Sequence, residues 1–317
     1  MVSIIIPTYN RRNLVRYTLN SVDKKHHPGI DLEVILVDDG STDDTISFVK
    51  EHYPNVIVMS SPKKGAPYAR NAGLAAAKGK YVVYLDSDDL LGPGIFEKKI
   101  PLLENDDSLT ACYGDYQYFR SDTELTEDRL ISSRKYPLLG KGNDEVHLLN
   151  YLAGRYLPPL NIIWRKSFLE TIGGHDVTLV INQDVELVIR ALLKGAKFEA
   201  IQDGTKAYIR THSIDARVGS ASTDDKWQHI LDLRRKLFVS LKNSPQHQDK
   251  KYYNALSLYL FTTWQSLRKV NPAMSEQFLA LSKELYWPVD PGGAAPFKLM
   301  VKILGPVNAV KLKQLLK

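Results

Sequence analysis

Short apolar runs alternate with helix-like segments through the first third of the chain. The predicted strands, rich in β-branched and aromatic side chains, lie at 2–7, 33–38, 56–59 and 81–85. The predicted helices, with apolar residues three and four positions apart, lie at 11–23, 44–51 and 67–77. Because parallel neighbouring strands need long crossover connections, usually helices, this alternation predicts a parallel, doubly wound α/β sheet.

Polar side chains follow each of these predicted strands. They include Pro7, Thr8 and Tyr9, then Asp39, then Lys64 with Arg70 nearby, and finally Asp86, Ser87, Asp88 and Asp89. Ligands of open α/β sheets collect beyond the carboxyl ends of the strands, so we expect one ligand-binding edge there. An aromatic ring can lie beside a base, a carboxylate can accept a base N–H or a ribose hydroxyl, and cations can lie near phosphate. Neither a GxGxxG nor a GxxxxGK[ST] sequence occurs, which counts against dinucleotide-binding and P-loop domains.

The acidic sequence after the fourth strand is the most unusual of these strand ends. Asp86, Asp88 and Asp89 place three carboxylates within four residues, and such a cluster at the end of a buried strand is costly without a compensating cation. Mg²⁺ or Mn²⁺, shared with substrate phosphate oxygens, would compensate it. The alternative is an acidic helix N-terminus, in which Asp88 or Asp89 caps a helix that follows Pro93.

Composition indicates a globular protein of 317 residues, 44% of them hydrophobic. The single cysteine, Cys112, excludes an intramolecular disulfide and fits a reducing compartment. Neither a signal peptide nor about eighteen uninterrupted apolar residues is visible, so we expect a cytoplasmic protein that is at most peripheral on the inner membrane face. The formal net charge of +6 suits an anionic substrate or membrane surface, or it simply aids solubility.

Six segments together resemble glycosyltransferase family 2. They are VSIIIPTYNR at 2–11, VILVDDGSTDDT at 34–45, GAPYARNAGLAAAKGKYVVYLDSDD at 65–89, GGHD at 173–176, INQDVELVIRALLKG at 181–195 and YIRTHS at 208–213. This resemblance covers about the first 215 residues and implies a GT-A fold, a Rossmann-like and mostly parallel sheet flanked by helices. It also implies an inverting transfer of a sugar from a nucleoside diphosphate sugar.

The resemblance also assigns roles to individual residues. The donor site would comprise Pro7, Thr8, Tyr9, Asp39, Lys64, Arg70, Asp86 and Ser87, with Arg70 near the diphosphate and Asp86 facing the ribose or sugar. Asp88, at the third position of the DXD motif, would bind Mn²⁺ or Mg²⁺, with His212 as a late metal or diphosphate contact. Asp184 would be the catalytic base.

The chemistry of sugar transfer suits these residue types. Departure of a nucleoside diphosphate builds negative charge on its β-phosphate, which a metal at Asp88 and the Arg70 cation can stabilise. The sugar becomes oxocarbenium-like, and an inverting route needs a carboxylate on the opposite face, for which Asp184 is the candidate. Gln183 stands where the family usually has a glutamate, and it can hydrogen-bond an acceptor but cannot ionise. The alternative for Asp184 is a helix N-cap.

The middle of the chain supplies the predicted acceptor side. A strand is predicted at 109–119, and this region and 157–164 line the acceptor side in family members. The acceptor contacts implied are Asp115, Tyr116, Asn161, Trp164 and Gln183. Tyrosine and tryptophan can stack on sugar rings, although they also serve as plain core residues.

Helices alone are predicted after about residue 223, at 227–242, 252–269 and 275–286. The tail at 297–317 has an apolar and a basic side, with a kink expected at Gly305 and Pro306. Such a tail can lie on an anionic membrane surface, pack on its own domain or contact a second subunit of a homodimer.

We therefore predict a GT-A domain at 1–222 and a helical C-terminal region at 223–317. The predicted activity is metal-dependent, inverting transfer to a glycan or lipid-linked acceptor in surface polysaccharide or glycoconjugate synthesis, with no nucleic-acid partner. Two alternatives are a non-catalytic carbohydrate- or nucleotide-binding protein on the same fold and a sugar-phosphate nucleotidylyltransferase. PTYNRR is not the glycine-rich loop that the latter class needs after its first strand.

Overall fold

A computed structural model describes residues 1–61, 64–120, 130–131, 139–202, 204, 206–211, 223–288 and 295–315. The chain divides into two units, each with its own internal packing. The first comprises Met1–Glu145 and Tyr156–Ser220, and the second comprises Val146–Arg155 and Ala221–Lys317.

The strands of the first unit form two sheets. In chain order they are β1 (Val2–Thr8), β2 (Leu32–Asp38), β3 (Ile57–Ser60), β4 (Tyr81–Tyr84), β5 (Leu90–Leu91), β6 (Ala111–Tyr113), β7 (Asp115–Phe119), β8 (Leu130–Ile131), β9 (Ile162–Arg165), β10 (Phe198–Ala200) and β11 (Lys206–Arg210). The large sheet has the order β10-β6-β9-β4-β1-β2-β3, and the small sheet has the order β5-β11-β7-β8. In the large sheet β9 is antiparallel to both of its neighbours, and the other pairs are parallel.

Helices connect these strands. They are α1 (Val15–Ser21), α2 (Thr45–His52), α3 (Ala66–Ala76), α4 (Lys99–Asn105), α5 (Asp144–Leu152), α6 (Lys166–Thr171) and α7 (Gln183–Leu193), and most of α5 falls in the second unit. Every residue of β1 and β4 is buried, as expected for strands covered on both faces. The mostly parallel α/β architecture confirms the predicted fold class.

The strand predicted at 109–119 is instead two strands in different sheets. β6 pairs with β9 and β10, whereas β7 pairs with β11 and β8. The chain changes sheet at Gly114, whose backbone lies so close to Lys99 that an added Cβ would be 2.8 Å from Lys99 Cε. The Gly114 carbonyl accepts a hydrogen bond of 2.6 Å from Asn161 Nδ2. The residues on both sides of this glycine have the composition of a strand, so the sequence did not indicate that the strand ends there.

The alternative that placed a capped helix after the acidic cluster is wrong. The chain enters β5 directly after Asp89 and pairs with β11, and the next helix begins at Lys99. Asp89 is 5% exposed, and its Oδ1 accepts a hydrogen bond of 2.8 Å from the backbone N–H of Arg210. This carboxylate therefore ties the acidic cluster to the small sheet.

The second unit is helical. It contains α8 (Thr223–Lys242), α9 (Lys250–Leu267), α10 (Pro272–Leu285) and α11 (Ala295–Leu315). Ser257 of α9 and Ser282 of α10 meet at 2.8 Å in the buried seam between those helices. Gly305 has φ 74° inside α11 and is followed by Pro306, which confirms the predicted kink. None of the helices in the described ranges is long and apolar enough to cross a membrane.

Gly73 marks the closest approach of α3 to the sheet, because a Cβ there would overlap Ile5 Cγ2 in β1. We expect Gly73→Ala to lower the free energy of unfolding by about 1–2 kcal/mol, since overpacking against a stiff β-branched side chain outweighs the gain in helix propensity. Urea unfolding measures this change. Gly140→Ala is the control, because no atom of the described residues lies within 4 Å of an added Cβ there; equal stability of the two variants would contradict the prediction.

Candidate active site

A cleft of about 520 Å³ opens where β1, β2 and β4 end. Its lining residues are Pro7, Thr8, Tyr9, Arg11, Asp39, Gly65, Ala66, Arg70, Asp86, Ser87, Asp88, Val180, Ile181, Asn182, Gln183 and Asp184. The register of β1 with β2 places Thr8 beside Asp38, so the two strand ends open side by side. The structure thereby brings the acidic cluster and Asp184 to one cleft, although almost a hundred positions separate them in the sequence.

Asp39 fixes one side of this cleft. Its carboxylate accepts hydrogen bonds from the backbone N–H groups of Lys64, at 3.0 Å, and Gly65, at 2.8 Å. The loop after β2 is thus joined to the start of α3. The Lys64 ammonium lies 5.2 Å from the centre of the Tyr68 ring and does not line the cleft, so the predicted phosphate contact of Lys64 is not supported by its position.

Arg70 is the buried cation of the site. It projects from α3 and is 4% exposed, and its Nη2 donates to Asp86 Oδ1 at 2.7 Å. Its Nη1 lies 3.9 Å from Asp184 Oδ1. Burial acts to lower the pKa of Arg70, but the charges of Asp184 and Asp86 more than offset it, so the pKa is raised and the guanidinium stays charged. Arg70 Nε and Nη1 find no hydrogen-bond partner among the described residues.

Asp184 occupies the first turn of α7. The N-cap is Asn182, at φ 57°, so the alternative of an N-cap role for Asp184 is wrong. His175 Nε2 lies 3.1 Å from Asp184 Oδ1, within hydrogen-bond distance. Burial acts to raise the pKa of Asp184, but the Arg70 charge and then the His175 hydrogen bond outweigh it and lower the pKa to about 2. Asp184 is therefore ionised at neutral pH and can accept a proton.

Asp86 is the other carboxylate that Arg70 contacts. Burial raises its pKa above the ordinary value, which Arg70 partly counteracts, and the nearby charges of Asp184 and Asp88 raise it further. The site therefore crowds negative charge around one guanidinium. Such a site favours additional positive charge from a bound ligand or ion.

Arg11 is a cleft residue that the sequence analysis missed. The helix predicted from residue 11 begins only at Val15, so Arg11 belongs to the turn after β1. Its backbone N–H donates to Thr45 Oγ1 at 3.0 Å, and its Nη2 lies 3.5 Å from Asp88 Oδ2. The sequence signal was the pair of arginines after the first strand, which the helical pattern obscured.

Asp88 meets the requirement for a shared metal ligand. Its carboxylate lines the cleft and already holds the Arg11 cation, and Mg²⁺ is usually bound by one or two carboxylates together with substrate phosphates. Among the residues that the structure describes, no three His, Cys, Asp or Glu side chains gather as a metal cage. His212, the other predicted metal contact, lies outside the described residues.

The predicted acceptor residues fall into three groups. Gln183 lines the cleft, and its Nε2 donates to the Val180 carbonyl at 3.0 Å. Trp164 and Asn161 are each 1% exposed; Trp164 packs edge-on against Phe198 at 5.3 Å between ring centres, and Asn161 bonds Gly114. These two are core residues, so their positions do not support the predicted acceptor contacts. Asp115 and Tyr116 lie half-buried at the start of β7, outside the cleft lining.

Comparisons with known proteins identify the family of this chain. Residues 3–170, more than half of the chain, match Glycosyl transferase family 2. An uncharacterized glycosyltransferase of Escherichia coli, YibD, is 35% identical over 140 residues, which cover 42% of this chain and 40% of the relative. A poly(ribitol-phosphate) beta-glucosyltransferase of Bacillus spizizenii is 28% identical over 217 residues, which cover 66% of this chain and 32% of the relative. The chain thus spans less than half the length of these relatives.

A solved structure shares the fold across nearly the whole chain. The crystal structure of S. aureus TarS residues 1–349 in complex with UDP-GlcNAc matches with a TM-score of 0.69 and 18% identity, covering 99% of this chain and 90% of that one. At this identity the likeness shows the fold alone. The family is shown by the match over residues 3–170. The chain belongs to glycosyltransferase family 2, which confirms the predicted family and enzyme class.

Proposed function

We propose that this chain transfers a sugar from a nucleoside diphosphate sugar to a hydroxyl of a glycan or lipid-linked acceptor, with inversion at the sugar carbon. The observation that carries this proposal is that Asp86 and Asp184 converge on Arg70 in a cleft that Asp88, paired with Arg11, also lines. Asp86 and Asp88 can face the donor while Asp184 faces the acceptor. Inverting transfer needs groups in both of these positions.

The donor is proposed to lie along the ends of β1, β2 and β4. Tyr9 and Asp39 would contact the nucleoside. Arg70 Nε and Nη1, buried donors without hydrogen-bond partners among the described residues, would donate to diphosphate oxygens. A buried donor left unpaired is costly, so a ligand that pairs it gains affinity. The TarS crystal structure in complex with UDP-GlcNAc supports a nucleotide sugar as the ligand class.

The proposed reaction forms one bond and breaks one bond. The acceptor oxygen attacks the sugar carbon, and Asp184 takes the proton of that hydroxyl. The bond from the sugar carbon to the phosphate oxygen breaks, and the nucleoside diphosphate leaves with the electron pair. Arg70 stabilises the charge that grows on the leaving oxygens. Mn²⁺ or Mg²⁺ held by Asp88 would neutralise charge on the same phosphate oxygens.

The acceptor is proposed to be a surface polysaccharide or glycoconjugate. The name of the Bacillus relative, a poly(ribitol-phosphate) glucosyltransferase, supports a polymeric hydroxylated acceptor. Ile303 and Leu304, exposed at 70% and 40%, lie on α11 of the second unit. Contact of α11 with a membrane or with a second subunit stays a prediction, as does the cytoplasmic location.

Asp184→Asn tests whether Asp184 is the catalytic base. It keeps an oxygen that can accept from His175 but removes the basic carboxylate, so we expect transfer to fall roughly 10²–10⁴-fold while affinity for the nucleotide stays nearly unchanged. Turnover and nucleotide titrations measure the two effects, and Asp107→Asn, at an exposed carboxylate of the same unit, is the control. Unchanged turnover would remove Asp184 from the mechanism, and binding without transfer by the wild type would favour the non-catalytic alternative.

Asp88→Ala tests the metal site. The substitution removes the cleft carboxylate that is proposed to bind the ion. We therefore expect that Mn²⁺ will no longer increase the thermal stabilisation of the protein by nucleoside diphosphates. A thermal-shift panel of UDP, GDP and dTDP with Mn²⁺ or with EDTA measures this effect. The same panel identifies the nucleobase of the donor. Asp107→Ala should behave like the wild type. Equal nucleotide stabilisation of the wild type with EDTA and with Mn²⁺ would contradict metal dependence.

A further inference from the structure

One histidine holds the carboxylate of Asp184. Within the described part of the chain, His175 and Arg70 approach the same oxygen of Asp184, Oδ1. With Oδ1 held by His175, Oδ2 is the oxygen that we expect to take a proton from a substrate. A carboxylate in the first turn of a helix has two side-chain torsions, so an oriented Oδ2 requires a contact that fixes Oδ1.

The ring of His175 is itself fixed. It is 2% exposed and packs edge-on against Tyr84, with 4.6 Å between the ring centres. Asn71 of α3 makes two hydrogen bonds to the backbone of His175. Asn71 Nδ2 donates to the His175 carbonyl, and the His175 N–H donates to Asn71 Oδ1, each at 2.8 Å. Gly174 allows this close approach, since a Cβ there would overlap Asn71 Oδ1.

The turn before His175 is also tied to α7. Arg190 Nη2 donates to the Gly174 carbonyl at 2.6 Å, and Arg190 Nη1 donates to the Ile172 carbonyl. Glu186, one helical turn earlier, pairs with Arg190 at 2.8 Å. The turn is thus hydrogen-bonded both to α3, which carries Arg70, and to α7, which carries Asp184. A histidine that only filled the core would not need both attachments.

The surroundings of His175 select its protonation state. Burial lowers its pKa, and Asp184 opposes that effect while Arg70 and Arg190 reinforce it. His175 Nδ1 has no hydrogen-bond partner among the described residues, whereas Nε2 faces a carboxylate. The neutral ring therefore places its proton on Nε2, as a donor to Asp184.

We propose that His175 is a positioning residue, which donates its Nε2 proton to Asp184 Oδ1 and so fixes Oδ2 toward the acceptor hydroxyl. This inference rests on the proposed function, in which Asp184 is the base. It concerns orientation, because His175 itself contacts no reacting atom. Misplacement of a reacting group by about 1 Å can cost roughly 10²-fold in rate.

Two substitutions separate the hydrogen bond from the packing. His175→Phe keeps a ring against Tyr84 but removes the donor, so we expect kcat to fall by about 10²-fold with the Kd for nucleotide unchanged. His175→Gln restores an N–H donor and should recover most of that loss. His27→Phe is the matched control, because His27 is 1% exposed, stacks edge-on with Phe96 and has Nε2 2.9 Å from the Ser21 carbonyl outside the cleft. Wild-type kcat in His175→Phe, no recovery in His175→Gln, or an equal loss in His27→Phe would overturn the proposal.

Side-chain NMR tests the geometry independently of activity. In wild-type protein with ¹⁵N-labelled histidine, we expect the His175 ring, assigned by its loss in His175→Gln, to be neutral with its proton on Nε2. Its resonances should shift in Asp184→Asn. A proton on Nδ1, or resonances unaffected by Asp184→Asn, would overturn the positioning role. Absence of sugar transfer by the wild type, with this NMR signature present, would instead refute the proposed function.

Discussion

The site depends on one buried guanidinium that is shared by two carboxylates. Arg70 donates a hydrogen bond to Asp86 and lies near Asp184, and without it two negative charges would face each other in a partly buried cleft. Removal of one member of such a group leaves uncompensated charge, which is more costly than the group as a whole. Arg70 therefore stabilises the geometry of the cleft before any substrate enters it.

The hydrophobic pattern predicted β1 to β4 and the helices between them because that pattern is local. Strands that alternate with helices were visible in β1 to β4, and the strand-end rule then located Thr8, Asp39, Asp86 and Asp88 on one edge. The antiparallel insertion of β9 between β4 and β6 had no such signal, since its pairing depends on residues far away in the chain. The sheet change at Gly114 had none either, because the close contact with Lys99 is tertiary.

The site predictions that the structure does not support have a common cause. Trp164 and Asn161 have the side chains that bind sugars, but side-chain chemistry does not reveal burial, and both lie in the core. Arg11 was assigned to a helix by its spacing, yet α1 begins four residues later. His175 and Asp184 are nine positions apart across a loop that ends in left-handed Asn182, so no periodic pattern links them. Positions on one helix face can be predicted, but contacts across such a loop cannot.

Asp39 shows how a residue proposed to contact a ligand can also be a structural joint. Its carboxylate accepts from two consecutive backbone N–H groups at the start of α3, so any change of this side chain would loosen the loop as well as alter the proposed contact with the nucleoside. Efforts to alter the proposed nucleotide preference by protein engineering would therefore do better to leave Asp39 unchanged and to begin elsewhere in the cleft lining.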